Sequence, residues 1–359
     1  MSPSSDTRQP AMPQSTMTPM ARVLTAMSHK EPDRVPFFLC LTTHGAREMK
    51  MSIRDYFSNG ETVAEAQLRM REKYRHDCLL AFFHAPVEIG AWGGEVVYSD
   101  SGPPNSGRPF IDNPAEQVPR LKPPDIKSAA GLGEVLETTR ILAEKAAGDI
   151  PVMGVVVSPF SLPVMQMGFS AYIELLCREP SLFWDLMAVN EAFCVEWANA
   201  QLAEGATAIC YFDPVASPTI IPRSLYLETG HIVARRTIGR INGPTATHLA
   251  SGATLQVADD IAQTGTGGIG VSAGEDLEAL KRICKGKLTV IGNLNGLEMA
   301  RWSREEAFSA VRHAIAQAGP GGGFILADNH GEIPWHVPEA VLSAVSEAVH
   351  RHGCYPIKT

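Results

Sequence analysis

Ala206-Thr207-Ala208-Ile209-Cys210-Tyr211-Phe212-Asp213-Pro214 is a short apolar run that stops at a carboxylate and a proline. It is strand-like, and helical periodicity follows at Ser224–Arg236. The next apolar run, Thr245–Leu249, also breaks into a loop at a polar group, in Thr247-His248-Leu249-Ala250-Ser251-Gly252. Strand, helix, strand with polar strand ends is the unit of a parallel α/β fold.

The unit recurs outward in both directions. Further strand candidates are Val35–Leu41, Cys78–Phe83, Val152–Val157, Gly268–Val271, Leu288–Ile291 and Gly323–Leu326. Helical stretches lie at Thr62–Lys73, Ala171–Glu204, Thr254–Thr264, Leu277–Cys284, Arg304–Ala318 and Pro338–His350. Eight strands, mostly followed by helices, predict an α/β fold of the (β/α)8 TIM-barrel type spanning residues 18–359; an open doubly wound sheet is the alternative. In a barrel the active site lies at the C-terminal strand ends. The polar residues there are His84, Ser158, Asp213, His248, Ser272, Asn293, Asp328 and His330. Ser272 and Asn293 read more readily as caps of the next element; histidine is a poor cap, so His84, His248 and His330 stand out.

Composition narrows the classes. The chain has 359 residues, 45% of them apolar, a net charge of -8 and a pI near 5.8. No basic stripe points to nucleic acid, and no apolar run reaches the ~18 residues of a membrane span. Residues 1–17, rich in Ser, Pro, Met and Gln, read as a disordered tail without the apolar core of a secretion signal. Seven cysteines without a framework favour reduced thiols and a cytoplasmic protein. The Gly- and Pro-dense segment at about 91–124 reads as a lid-like excursion over the barrel mouth or, equally, as a disordered insert. The glycines at 265, 267, 268 and 270 straddle a strand, so they do not form a dinucleotide fingerprint.

Arg22-Val23-Leu24 through Asp33-Arg34-Val35-Pro36, Val157-Ser158-Pro159-Phe160-Ser161-Leu162, Asp213-Pro214, Ile291-Gly292-Asn293-Leu294, and His330-Gly331 after Phe324-Ile325-Leu326 together resemble the uroporphyrinogen decarboxylase superfamily. The resemblance implies a TIM barrel and one of two chemistries. One is decarboxylation of a tetrapyrrole, which uses arginines after the first strand to hold a polycarboxylate. Here that stretch is Leu41-Thr42-Thr43-His44-Gly45-Ala46-Arg47, with one Arg. The other is zinc-assisted methyl transfer to or from a corrinoid protein. Its thiol-methylating members bind zinc with His-x-Cys and a later Cys, whereas this chain has His248-Leu249-Ala250 and Asn329-His330.

Family members that demethylate methoxyarenes resemble Glu-x14-Glu-x20-His at their zinc site, and this chain offers Asp213, fourteen residues, Glu228, nineteen residues, His248. The resemblance therefore implies zinc held by His248, Asp213 and Glu228, a harder site suited to an ether oxygen. His330 would be a fourth ligand or a general acid, and His84 would face substrate or corrinoid. Trp92, Phe160 and Trp335, in or beside loops at the open face, are candidates to stack on an aromatic substrate or on the corrin, with core packing an equal reading for Phe160, and Asn293 is a further candidate substrate contact. The chain lacks an Asp-x-His-x-x-Gly motif, so the cobalamin is expected on a separate corrinoid protein. The expectation is a methyltransferase moving a methyl group from a small methoxy-aromatic-like donor to that corrinoid. Alternatives are transfer from methyl-corrinoid to a thiol or other acceptor, decarboxylation, and a non-catalytic barrel. The resemblance also raises a homodimer.

Overall fold

The structure is a computed structural model that describes residues 16–357. The tail read over 1–17 lies outside the described residues except for Thr16 and Met17, whose amides both donate to Asp33 Oδ2 at 3.0 Å.

Seven parallel strands form one curled sheet. They are β1 (Leu79–Leu80), β4 (Val152–Val157), β5 (Ala208–Phe212), β6 (Thr245–His248), β7 (Gly268–Gly270), β8 (Thr289–Ile291) and β9 (Phe324–Ile325), hydrogen-bonded in that order. Helices lie between most of them and pack on the sheet's outer face. The register aligns Val155 with Cys210, Phe212 with His248, His248 with Gly270, and Gly270 with Ile291. Registered partners share a face of the sheet. These residues therefore line one concave surface, while Val156, Ile209, Tyr211 and Ile269 pack outward under the helices.

The expected first strand, Val35–Leu41, forms no extended ladder; Phe37 makes a single parallel bridge to Leu326. Pro36 has no N–H to give, and the Phe37 amide is taken by Asp77 Oδ2 at 3.0 Å. The segment still bonds on both sides. Phe38 N donates to Leu326 O, Leu326 N to Pro36 O, and Asp77 N to Phe37 O, at 2.8–2.9 Å.

Other differences also have local causes. The long helix read over 171–204 is two helices, Phe169–Arg178 and Pro180–Ala203, divided where Pro180 cannot continue the first. The 224–236 helix is likewise split, into Arg223–Glu228 and Gly230–Ile238. A helix at Leu132–Ala146, packed against the Gly60–Tyr74 helix, had not been expected. Within the Gly/Pro-rich excursion, β2 (Val96–Val97) and β3 (Asn105–Ser106) form a small antiparallel hairpin. No helix among the described residues is long and apolar enough to cross a membrane.

Candidate functional site

A cavity of about 330 Å³ opens at the C-terminal ends of the strands. Its walls are largely apolar: Phe38, Leu80, Phe82, Met153, Val155, Met165, Phe212, Ala246 and Ile291. Pro103, Pro104, Asn105 and Ser106 of the excursion close one side. The polar lining is Cys40, Cys210, Thr247, His248, Asp328, His330 and Glu332, with no Lys or Arg among the described residues. Strand alternation explains the lining, since Met153 and Val155 on β4 and Cys210 and Phe212 on β5 occupy every second position.

His248 is the centre of the constellation. Gly270 lies beside it in register and has no side chain, which leaves room for the imidazole; a Cβ there would sit 2.2 Å from His248 Cδ2. Phe212, in register on the other side, stacks on the ring at 5.8 Å between centroids and 28° between planes. Ala250 N–H donates to His248 Nδ1 at 3.0 Å. That bond occupies the Nδ1 lone pair, so the ring hydrogen sits on Nε2. Burial, opposed by Asp328 and reinforced by His330, lowers the His248 pKa to about 4, so the ring is neutral at pH 7.

Asp328 follows β9 and is buried. Its Oδ2 accepts from His330 N at 2.9 Å and Gly331 N at 2.8 Å, while its Oδ1 has no hydrogen-bond partner. His330 is exposed at the rim, with Nδ1 2.6 Å from Ser251 Oγ. Glu332 accepts from the hydroxyls of Thr42 and Thr43. Burial raises its pKa to about 7, against the lowering effect of the two threonines. Burial also pushes the Cys210 thiol up to about 12 and the Cys40 thiol well above its ordinary value, the latter helped by Asp328.

The structure brings His248 and His330 to the cavity and leaves the other expected site residues off its lining. Asp213 lies behind the wall. Its Oδ1 accepts from Ser158 Oγ and Ser161 Oγ, both at 2.6 Å, and its amide donates to His248 O at 2.8 Å. It ties together the ends of β4, β5 and β6 and is no cavity-facing ligand. Burial raises its pKa to about 6, against both serines. Glu228 ends the Arg223–Glu228 helix and is exposed. His84 is edge-on to Phe57 at 5.1 Å and to Tyr98 at 5.7 Å, in an aromatic cluster beneath the hairpin. Phe160 is fully buried against Tyr172 and Phe183. Trp92 packs on Phe193 at 5.4 Å. Trp335 lies under Arg47 at 5.1 Å, and Asn293 donates from Nδ2 to Ser272 O at 3.0 Å. These aromatic residues hold the loops in place; none of them lines the cavity.

The implied zinc ligands do not fit. Among the described residues no group of three or more His, Cys, Asp or Glu is placed to hold a metal ion. Nε2 of His248 carries the hydrogen where a ligand needs a lone pair, the reverse of the arrangement in which a ligating His donates from its other nitrogen. Purified protein is accordingly expected to hold well under one zinc per chain by elemental analysis. Glu228→Gln should leave stability within about 0.5 kcal/mol. Near-stoichiometric zinc that disappears in both Glu228→Gln and His248→Ala would contradict this assignment.

Asp328, Glu332, Phe212 and Cys210 were not singled out as site residues from sequence. Asp328 had a visible signal, a carboxylate just after the last strand. Glu332 had none, because its place depends on Thr42 and Thr43, some 290 residues earlier.

Comparison with known proteins sets this cavity in a family. The uroporphyrinogen decarboxylase (URO-D) family model matches residues 18–352, and the chain belongs to that family. A uroporphyrinogen decarboxylase of Thioalkalivibrio sulfidiphilus is 25% identical, over 92% of this chain and 97% of its own length. The methylcobamide:CoM methyltransferase MtaA of Methanosarcina barkeri is 22% identical, over 78% and 84%. Among solved structures, a methyltransferase from Methanosarcina mazei superposes with a TM-score of 0.77 at 20% identity, covering 93% of this chain and 99% of that one. The family thus includes decarboxylases and methyltransferases, and the chain's relatives are enzymes.

Proposed function

We propose that this protein is a methyltransferase that passes a methyl group from a small molecule in the cavity to a corrinoid carried by a separate protein. The observation that carries this reading is the charge of the cavity. Its lining holds two carboxylates and no Lys or Arg, so a tetrapyrrole polycarboxylate would meet repulsion and no clamp. The one arginine after the first segment, Arg47, donates to Val337 O at 3.1 Å and stacks on Trp335. The volume and apolar walls suit a small, largely apolar ligand instead.

In this reading Phe37 and its neighbours supply the eighth stave of a (β/α)8 barrel, and the 91–124 excursion is a lid over its mouth. The protein works in the cytoplasm, and the corrinoid partner docks at the strand C-terminal face. Phe38, Phe82 and Phe212 orient the donor and exclude water. His248 presents its Nε2 hydrogen, and His330 at the rim moves a proton to or from the donor. A methoxyarene is the donor to which the sequence pointed, and its ring suits these walls. Zinc support of the departing phenolate would need a ligand set other than His248, Asp213 and Glu228. Transfer from methyl-corrinoid to an acceptor is the reverse reading of the same site.

The test is spectroscopic. The protein, cob(I)alamin and a panel of methyl donors that includes anisoles are mixed anaerobically. Methylcobalt absorbance that depends on the protein is expected with at least one donor. Absence of signal from every donor, together with slow conversion of uroporphyrinogen, would overturn the proposal.

A further inference from the structure

We infer that the cavity binds a small organic cation, a methylated ammonium or sulfonium, and that this onium centre is the methyl donor; the donor role rests on the function proposed above. The central observation is Asp328. It is 2% exposed, it lines the cavity, and its Oδ1 has no hydrogen-bond partner. The Cys40 thiol beside it is a weak donor. Two backbone amides meet Oδ2, but no N–H, hydroxyl or counter-charge meets Oδ1, and a buried carboxylate without a counter-charge is costly. The lining among the described residues offers neither Lys nor Arg for that purpose, the nearby His248 is neutral, and the His330 ring is exposed at the rim with its Nδ1 on Ser251 Oγ, while only its backbone amide reaches Asp328, at Oδ2. The missing positive charge therefore belongs to what enters.

The walls agree independently. Three phenylalanine rings, Phe38, Phe82 and Phe212, line the same space as Asp328 and Glu332. Aromatic faces attract quaternary cations through their quadrupole, most strongly when the site is dry. A neutral aryl ether would use the rings and leave Asp328 unmatched.

The chemistry removes a further difficulty. An aryl ether must leave as a phenolate, which calls for an acid or a metal ion. An onium donor leaves as a neutral amine or thioether. The carbon–nitrogen or carbon–sulfur bond breaks and its electron pair stays on nitrogen or sulfur. The new carbon–cobalt bond takes its pair from the cobalt(I) corrinoid, and no proton is needed.

Calorimetric titration compares choline with its neutral isostere 3,3-dimethylbutan-1-ol on the purified chain. Choline should bind about tenfold tighter or more. Asp328→Asn should reduce that preference several-fold, with near-ultraviolet circular dichroism checking the fold; Glu332→Gln, with a smaller reduction, serves if the first variant is unfolded. Equal or tighter binding of the isostere overturns the inference. Transfer to cob(I)alamin is then followed from choline, trimethylsulfonium and anisole, the first two separating ammonium from sulfonium. Methylcobalt from either onium supports it. Methylcobalt from anisole alone overturns this inference and leaves the proposed methyltransferase standing. A clear onium preference with no methylcobalt from either onium overturns the donor assignment and leaves the cation site.

Discussion

Replacing Asp77 by Ala is expected to lower the stability of the fold by about 3–5 kcal/mol, the range for removing one partner of a buried ion pair. Asp77 precedes β1, at the end of the sheet opposite the cavity. It is 1% exposed and accepts from Arg22 Nη1 at 2.6 Å, Arg34 Nη1 at 2.6 Å, Arg34 Nη2 at 2.8 Å and the Phe37 amide at 3.0 Å. Arg22 also reaches Asp33 through Nε at 2.6 Å and Nη2 at 2.9 Å. One carboxylate thus joins the helix Pro19–Met27, the 35–39 segment and β1. Without it the two buried guanidinium groups keep their positive charges and lose the carboxylate between them. The measurement is the urea midpoint at constant slope. Asp77→Asn should fall between wild type and Asp77→Ala. A loss below about 1 kcal/mol would show that the network contributes little net stability, as some buried ion pairs do.

How far the sequence can be read depends on which interactions are local. The strands β4, β5 and β6 were legible because each is a run of apolar residues that ends at a polar group, and a parallel sheet buries such runs on both faces. The Val35–Leu41 run looked the same, but Pro36 and the competing Asp77 carboxylate lie outside any hydrophobicity pattern. In the site, His248 was legible because a histidine at a strand end has few structural explanations. Asp213 was read as a ligand because sequence shows the carboxylate and not the two serines, 52 and 55 residues away, that already occupy it. Phe160, Trp92 and Trp335 are adjacent to the mouth in sequence but turn into the packing around it. Side-chain direction after a strand end is set by the loop, and no periodicity carries it.

If the proposed function holds, Gly270→Ala is expected to reduce methyl transfer by about 100-fold while keeping the fold, because misplacing a positioning group by about 1 Å can cost that much. Gly270 looked like one member of a failed nucleotide motif, and its use is now visible. It is the position in register with His248 where a side chain would point at the imidazole. The added Cβ would lie 2.2 Å from Cδ2, 2.7 Å from Cγ and 2.8 Å from Nε2. The ring must therefore leave Phe212 or break its bond from Ala250 N–H. Overpacking of this kind costs about 1–3 kcal/mol. A double-mutant cycle isolates the cause without relying on any assumed activity. If the clash acts through the ring, Gly270→Ala should cost little in a His248→Ala background, where the methyl group enters vacated space. The coupling between the two sites should reach at least about 1 kcal/mol by denaturant titration. Additive losses would mean that Gly270 is required by the backbone of β7 and that His248 is not held by the space beside it.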